Sequence, residues 1–274
     1  MMPQWTRLAM SALLLALPAS AQDSSRVVPP SPPVPAHVPF GVGETLEYDV
    51  RFKGGLIPKE IHVGNGTMEV LPMDTVRGRD AWHTVFRISG GIPMYRVNDR
   101  YEDWLDIFSL ASLRYWQDID EGSYEPKRRY EIFPERLEYI ENNKEPRPSV
   151  ANPLADISFI YLLRTIPLRV GLDTSFNNYF MADRNPVRLK VVRRDTIEIR
   201  GDHYATIVVQ PIFVSKGLFA EGGHAEVWLS DDENHILLQM KSKVKFGSLN
   251  LYIKSYRPSP TTNLSLPRVN KPDR

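Results

Sequence analysis

The stretch Asn152–Gly171, NPLADISFIYLLRTIPLRVG, constrains this chain most, because it is the one segment that reads convincingly as a helix and it has almost no polar face. Asn152 is placed to cap it, Pro153 suits a first helical position, and Asp156 puts negative charge in the first turn. Pro167 stops it, since a proline removes a donor and clashes with the preceding turn. The predicted helix therefore covers about 153–166, with Ile157, Phe159, Ile160, Tyr161, Leu162 and Leu163 distributed around it. A helix that is apolar nearly all round is buried on most sides, and this one is too short to cross a bilayer. The rest of the chain must supply the cover.

That cover reads as β-structure. In Glu44–Lys53, Leu46, Tyr48, Val50 and Phe52 share one face and Glu47, Asp49 and Arg51 the other, the period of a half-buried strand. Ile61–Leu71 continues it, with Gly64-Asn65-Gly66 predicted as a bulge or bend. Ala81–Ser89, Asn98–Leu105, Leu113–Asp118, Arg128–Phe133 and Leu137–Glu141 follow, separated by turn residues. Beyond the helix come Ser175–Met181, Val187–Arg200 and Tyr204–Val214, then a meander of Ala225–Leu229, Ile236–Phe246 and Leu249–Tyr256. No βαβ alternation appears, which argues against a parallel nucleotide-binding sheet. The expected class is mainly β: a strongly curved antiparallel sheet or open barrel with one buried apolar helix on its concave side. Two stacked β subdomains joined through the helix is the alternative.

The ends carry different information. Arg7, the apolar run Leu8–Leu17 and the small-x-small triplet Ala19-Ser20-Ala21 predict a cleaved signal peptide over 1–21. The run is short and ends at Pro18, so no transmembrane segment is expected after cleavage. Residues 22–39 are a proline-rich spacer, expected to be extended or disordered, 40–257 a single β-rich domain, and 258–274 a disordered tail. The expected location is periplasmic or secreted. With no cysteine there is no residue to acylate, and disulfides, thiolate catalysis and cysteine-ligated zinc are excluded. Thirty-four basic against thirty-three acidic residues give no global field favouring nucleic acid.

Three stretches in order, GETLEYDV (Gly43–Val50), PLADISFIYLLRTIPLRVG (153–171) and VWLSDDENHILLQMKSKVKFGSLN (Val227–Asn250), resemble the bacterial family known as domain of unknown function 3108, over about Phe40–Tyr256. The resemblance implies a bacterial, exported protein and brings no activity or catalytic residue with it. Ala225–Tyr256 is also similar to the closing strands of periplasmic lipoprotein carriers, half-barrels in which a curved sheet covered by helices holds acyl chains.

No constellation carries an evident chemistry. His62, His83, His203, His224 and His235 lie on separate segments without zinc-site spacing; a site of His224, Asp232 and His235 competes with a plain Asp-Asp-Glu-Asn hairpin turn, which is preferred. No metal and no cofactor is expected. Asp99, Glu102, Asp103 and Asp106 cluster, as do Asp118, Asp120 and Glu121; Asp99 and Asp103 are the pair to weigh for glycoside hydrolysis, against an ordinary solvated sheet face. No GxSxG or phosphate loop occurs, and Ser158 reads as a satisfied helical hydroxyl. Arg164, in the apolar helix, needs a carboxylate or a ligand headgroup if it is buried; snorkelling to water is preferred. Tyr95, Tyr101, Trp104, Tyr115, Trp116, Tyr130 and Tyr139 interleave with Arg96, Arg100, Arg114, Arg128 and Arg129. That pattern suits a sugar- or headgroup-binding face, or more plainly aromatic packing on one sheet face and charge on the other. The leading expectation is a non-enzymatic cell-envelope protein binding an apolar or amphipathic ligand, such as a lipid, or an envelope protein partner. Phe159, Tyr161, Leu162, Arg164, Tyr101 and Trp116 are its candidate ligand-binding residues. A carboxylate-dependent hydrolase of envelope polysaccharide and an extracellular interaction scaffold are the alternatives.

Overall fold

The computed structural model describes residues 37–54, 57–92, 95–213, 225–244, 247–262, 264–266 and 268–269. The expected signal peptide, all of the spacer before His37, and His224 lie outside the described residues. Before the helix run β1 (Thr45–Gly54), β2 (Ile57–Val70), β3 (Asp74–Val76), β4 (Arg79–Ile92), β5 (Tyr95–Asp106), β6 (Ser112–Asp118), β7 (Lys127–Phe133), β8 (Glu138–Glu141) and β9 (Arg147–Pro148). The helix α1 is Asp156–Leu163. After it come β10 (Asp173–Phe176), β11 (Val187–Ile199), β12 (Asp202–Ile212), β13 (Ala225–Ser230), β14 (Leu237–Val244), β15 (Gly247–Arg257) and β16 (Arg268–Val269).

All of them join one sheet in the order β10-β11-β12-β13-β14-β15-β1-β2-β4-β5-β6-β7-β8-β9, with β3 beside β4 and β16 beside β12. Two antiparallel meanders are thus fused where β15 pairs with β1. The single sheet replaces the two-subdomain alternative, and its end strands β9 and β10 do not pair, so the barrel stays open. The alternation read from the sequence produces this directly: in β1, Leu46, Tyr48 and Val50 are buried while Glu47 is exposed. The bend expected at Gly64 is real. Val63 is an extra residue between the pairs Val50–Gly64 and Arg51–His62, and Gly64 faces Gly90 across β2 and β4. A Cβ on Gly64 would lie 2.1 Å from the Ser89 carbonyl oxygen, so the two backbones approach as only glycine allows. The strands missed by sequence reading, β3, β9 and β16, are two or three residues long, below the length at which alternation can be read.

The sheet curls around α1. The helix packs on β4 and β5, yet Phe159 also meets Phe213, just past β12, at 5.4 Å between ring centroids. From β12 to β5 is seven steps in the strand order, roughly 34 Å in a flat sheet at about 4.8 Å per strand. A helix is only about 10–12 Å across, so the two meanders must face each other over it. Every residue of α1 except Leu162 is buried, as its all-round apolarity requires.

The helix is shorter than the sequence suggests, eight residues rather than about fourteen, and its caps differ. Ala155, not Asn152, is the N-cap, and Pro153 lies outside; the helix closes at Arg164, before Pro167 can intervene. The Ser158 hydroxyl accepts from the Ala155 N–H at 2.7 Å and donates to the Ala155 carbonyl, the satisfied role expected of it. Ser158 and Ser112 are 3.0 Å apart, and Ser112 Oγ donates to Asp103 Oδ2 at 3.0 Å, pinning the helix start to β5 and β6. Burial pushes the Asp103 carboxyl up to about 8.

At the other end Arg164 does not snorkel. It is 2% exposed and its guanidinium meets both oxygens of Glu44, at 2.5 and 3.1 Å; Glu44 is itself fully buried. Its remaining donors reach the Pro39 carbonyl at 2.6 Å and the Asn234 carbonyl at 3.1 Å. Snorkelling fails because the carbonyls and the carboxylate satisfy the guanidinium inside. The tail is also less free than expected. The Ser259 hydroxyl donates to the Val42 carbonyl at 2.7 Å, and β16 pairs with His203 and Tyr204 of β12.

Two predictions follow from these anchors. Arg164→Met leaves Glu44 buried and unpaired, and urea unfolding should show a loss of about 3–5 kcal/mol, whereas Arg164→Met with Glu44→Leu should recover most of it. For Asp103, the native carboxyl holds its proton up to about pH 8, whereas an unfolded aspartate releases it near pH 4. The native state then binds more protons over that window, so this group's contribution to stability is full at low pH and is lost as pH rises to about 8. Asp103→Asn should become progressively more stable relative to the parent between about pH 4 and 8, in chemical denaturation at several pH values.

Candidate functional site

Between end strands β9 and β10 the sheet is left unjoined, and the segments 149–155, before α1, and 177–186, after β10, fill the seam. Ser149 donates its N–H to the Leu137 carbonyl and its hydroxyl to the Phe180 carbonyl, both at 2.7 Å. Leu154 then exchanges backbone bonds with Asn178 and Phe180 at 2.6 and 2.9 Å. These bonds explain why the strand expected over Ser175–Met181 stops at Phe176: residues 178–180 leave β10 to pair with Leu154. The Asn185 side chain closes the following turn, accepting from the Tyr179 N–H and donating to the Tyr179 and Met181 carbonyls.

A cleft of about 630 Å3 lies along this seam. One wall is the inner face of β5–β8, where Tyr101 pairs with Gln117 and Gln117 with Arg128, while Tyr130 pairs with Glu141. The other wall is Tyr179–Arg184. Phe180 plugs the base of the second wall, edge-on to Tyr130 and Tyr139 at 5.0 and 5.2 Å. Tyr115 and Tyr130 stack at 6.0 Å, so the aromatic surface is fixed before anything binds.

Asp156, the first residue of α1, forms the floor. Its Oδ2 accepts from the Tyr115 hydroxyl at 2.9 Å and the Gln117 amide at 3.3 Å, and its Oδ1 from the Tyr179 hydroxyl at 3.2 Å. Burial raises its proton affinity, and these three donors oppose that. Gln117 accepts in turn from Arg128 at 3.3 Å, and Arg128 donates to the Tyr124 hydroxyl at 2.7 Å, so one chain of hydrogen bonds runs from the mouth to the floor. Beside it, the Tyr101 hydroxyl reaches Asp99 Oδ2 at 3.5 Å, and Asp99 Oδ1 accepts the Asp120 N–H at 2.9 Å. Burial, with the Glu121 carboxyl close by, pushes Asp99 up to about 7.

Of the six residues singled out from the sequence, Tyr101 alone lines the cleft. Phe159 is held between Phe176 and Phe213, Tyr161 sits edge-on to Phe40 at 4.8 Å, and Leu162 is the half-buried member of α1. Arg164 is spent on Glu44. Trp116 is on the opposite sheet face, 4.8 Å from Trp104, with the Arg129 guanidinium 4.8 Å above its ring. Tyr101, Tyr115, Tyr130 and Tyr139 turn inward while Arg100, Arg114 and Arg129 stay on the outer face, so the plainer aromatic reading holds in part; Arg128 joins the tyrosines on the inner face, and Trp104 and Trp116 lie on the outer face under the Arg114 and Arg129 guanidiniums.

Most of the other sequence candidates have structural partners. Asp103 bonds Ser112 behind the helix, and Asp106 accepts from Ser109 and Arg79 in a turn. His83 at 2.9 Å and Arg100 at 2.7 Å hold Glu102 down at about 2, despite its partial burial. Asp232 accepts from Ser230 and from the N–H groups of Asn234 and His235, the turn chemistry expected of that run. Among the described residues no cluster of three metal-ligating side chains forms. Sequence reading noted Asp156 for the helix dipole alone and passed over Gln117, Tyr179 and Arg184. Nothing local marks these three, because they meet only when the seam is filled.

Comparison with known proteins places this geometry in context. No curated protein matches the chain. Among solved structures, a β-barrel-like protein of domain of unknown function DUF1849 from Brucella abortus superposes with a TM-score of 0.51 at 10% identity. The match covers 80% of this chain and 99% of that one and shows a shared fold. The family model described as "Protein of unknown function (DUF3108)" matches residues 47–254, from β1 to β15, and the chain belongs to that family.

Proposed function

We propose that this protein is an exported, non-enzymatic component of the bacterial cell envelope that binds an amphipathic ligand in the seam cleft. The observation that carries this reading is the cleft itself, about 630 Å3 with a lining fixed by internal hydrogen bonds and ring contacts. That volume is typical of small-molecule sites, which are largely pre-formed and usually span about 300–1,000 Å3. Export rests on the N-terminal pattern of Arg7, Leu8–Leu17 and Ala19-Ser20-Ala21. An acyl chain lying along α1 has little support, since Phe159 and Tyr161 are already covered by the protein's own aromatics.

One observation favours a second reading, a hydrolase of envelope polysaccharide. Asp99, pushed up to about 7, would carry a proton near neutral pH next to the cleft-lining Tyr101. Its expected companion Asp103 is turned to Ser112, so the acid pair would have to be Asp99 with Glu121 or Asp156.

Native mass spectrometry of mature protein from the periplasm, followed by organic extraction, tests the first reading. The expected result is a bound small molecule whose occupancy falls at least tenfold in Arg184→Ala, with the melting temperature little changed. Occupancy unaffected by that change would remove the ligand from the cleft. Release of soluble fragments from purified peptidoglycan by the parent protein but not by Asp99→Asn would move the assignment to the hydrolase.

A further inference from the structure

We propose that the part of the ligand entering the cleft is an uncharged, hydroxyl-rich saccharide. The inference rests on the ligand-binding reading above and names the chemistry of that site. Three observations carry it.

The first is the charge. Arg128, Arg147 and Arg184 face Glu121, Glu141, Asp156 and Asp183, so the two signs nearly cancel within one cleft. Two of the cations are also engaged: Arg128 with Tyr124 and Gln117, and Arg184 over the Tyr179 ring at 6.0 Å. A phosphate or carboxylate entering here would meet carboxylates as well as guanidiniums that already have partners, a poor match for bidentate anion recognition.

The second is the apolar content. Ile119 and Met181 are the aliphatic side chains of the lining, and the remaining apolar surface is aromatic. An acyl chain gains about 0.8 kcal/mol per buried methylene only where apolar surface replaces water along its length, and this cleft interposes charges. Flat rings beside polar groups suit a sugar, whose faces are carbon-lined and whose rim is hydroxyl.

The third is the hydrogen-bonding character. Sugar hydroxyls donate and accept at once, and the cleft offers both senses side by side. Arg128, Gln117 and Asp156 form a chain from mouth to floor, flanked by phenols that are bipolar and stay protonated, burial holding Tyr101, Tyr130 and Tyr179 above their ordinary range.

The test is isothermal titration of mature protein with uncharged oligosaccharides of α- and β-linked glucose, galactose, mannose and N-acetylhexosamine, and separately with inorganic phosphate and sodium palmitate. The expected result is micromolar-to-millimolar binding of at least one saccharide that changes less than twofold between 50 and 500 mM NaCl, because a neutral ligand is not screened. Arg128→Ala should weaken it at least tenfold. Tyr124→Ala, at an exposed position on the mouth, should weaken it severalfold with no risk to the core. Binding of phosphate or palmitate with no saccharide bound, lost in the same two variants, overturns the saccharide assignment and leaves the ligand-binding reading standing. Binding of none of the probes by a protein that is also clean in native mass spectrometry overturns both.

Discussion

Arg164 and Glu44 meet at the point where the two meanders, the entering chain and the helix converge. Glu44 immediately precedes β1, and the Tyr256 hydroxyl near the end of β15 lies 3.3 Å from its carboxylate. The guanidinium adds the Pro39 carbonyl from the entering segment and the Asn234 carbonyl from the turn between β13 and β14. One ion pair thus ties the closure of the second meander on the first to the last turn of α1. Its Coulomb energy is offset by the cost of taking both ions out of water, so what it contributes is geometry more than net stability. With one partner missing, the other's charge is left buried without its counter-ion.

The cleft is a consequence of the same arrangement. The end strands β9 and β10 do not pair, so the sheet wrapped on α1 stays open along one seam. The irregular segments 149–155, before α1, and 177–186, after β10, fill that seam, joined by the backbone bonds of Leu154 with Asn178 and Phe180 and bracketed by Asn185. Irregular backbone here has fewer partners to choose from than a strand, which is why the Ser149 and Asn185 side chains are recruited to its carbonyls. The aromatic base around Phe180 closes the bottom of the gap and leaves the mouth to polar side chains.

How much of this the sequence discloses depends on the range of the interaction. Period-two alternation is local, so the long strands such as β1, β6 and β7 can be read off, and the apolar helix announces its burial without reference to anything else. The Gly64–Gly90 approach is half legible: the glycine-rich run marks a bend, but its partner is twenty-six residues away. Arg164 shows where the limit falls. Its dilemma, a charge in an apolar helix, is written in the sequence, but the partner that resolves it is 120 residues earlier. The cleft is less legible still. Asp156, Gln117, Tyr179 and Arg184 are each ordinary where they stand, and only the filling of the seam brings them onto one cavity. Tyr101, Arg128, Tyr130 and Tyr139 were visible as part of an aromatic and basic cluster, since that cluster belongs to consecutive strands of one meander.

A helix with apolar side chains on every side has a particular weakness: hydrophobic contact alone does not tell it which way to face. Rotated about its axis, α1 would bury nearly the same surface. The polar groups at its two ends remove that freedom. At the start, Ser158 must meet Ser112 while Asp156 meets Tyr115, Gln117 and Tyr179; at the end, Arg164 must meet Glu44. A turn of the helix by one residue, about 100°, would leave all of these unpaired inside the protein, at a cost of roughly 1–3 kcal/mol for each neutral group and more for the charged ones. Burying Asp156 is therefore a cost in stability that fixes a unique packing, and the same fixed rotation holds its carboxyl at the floor of the cleft, where it sets the polarity that any ligand meets.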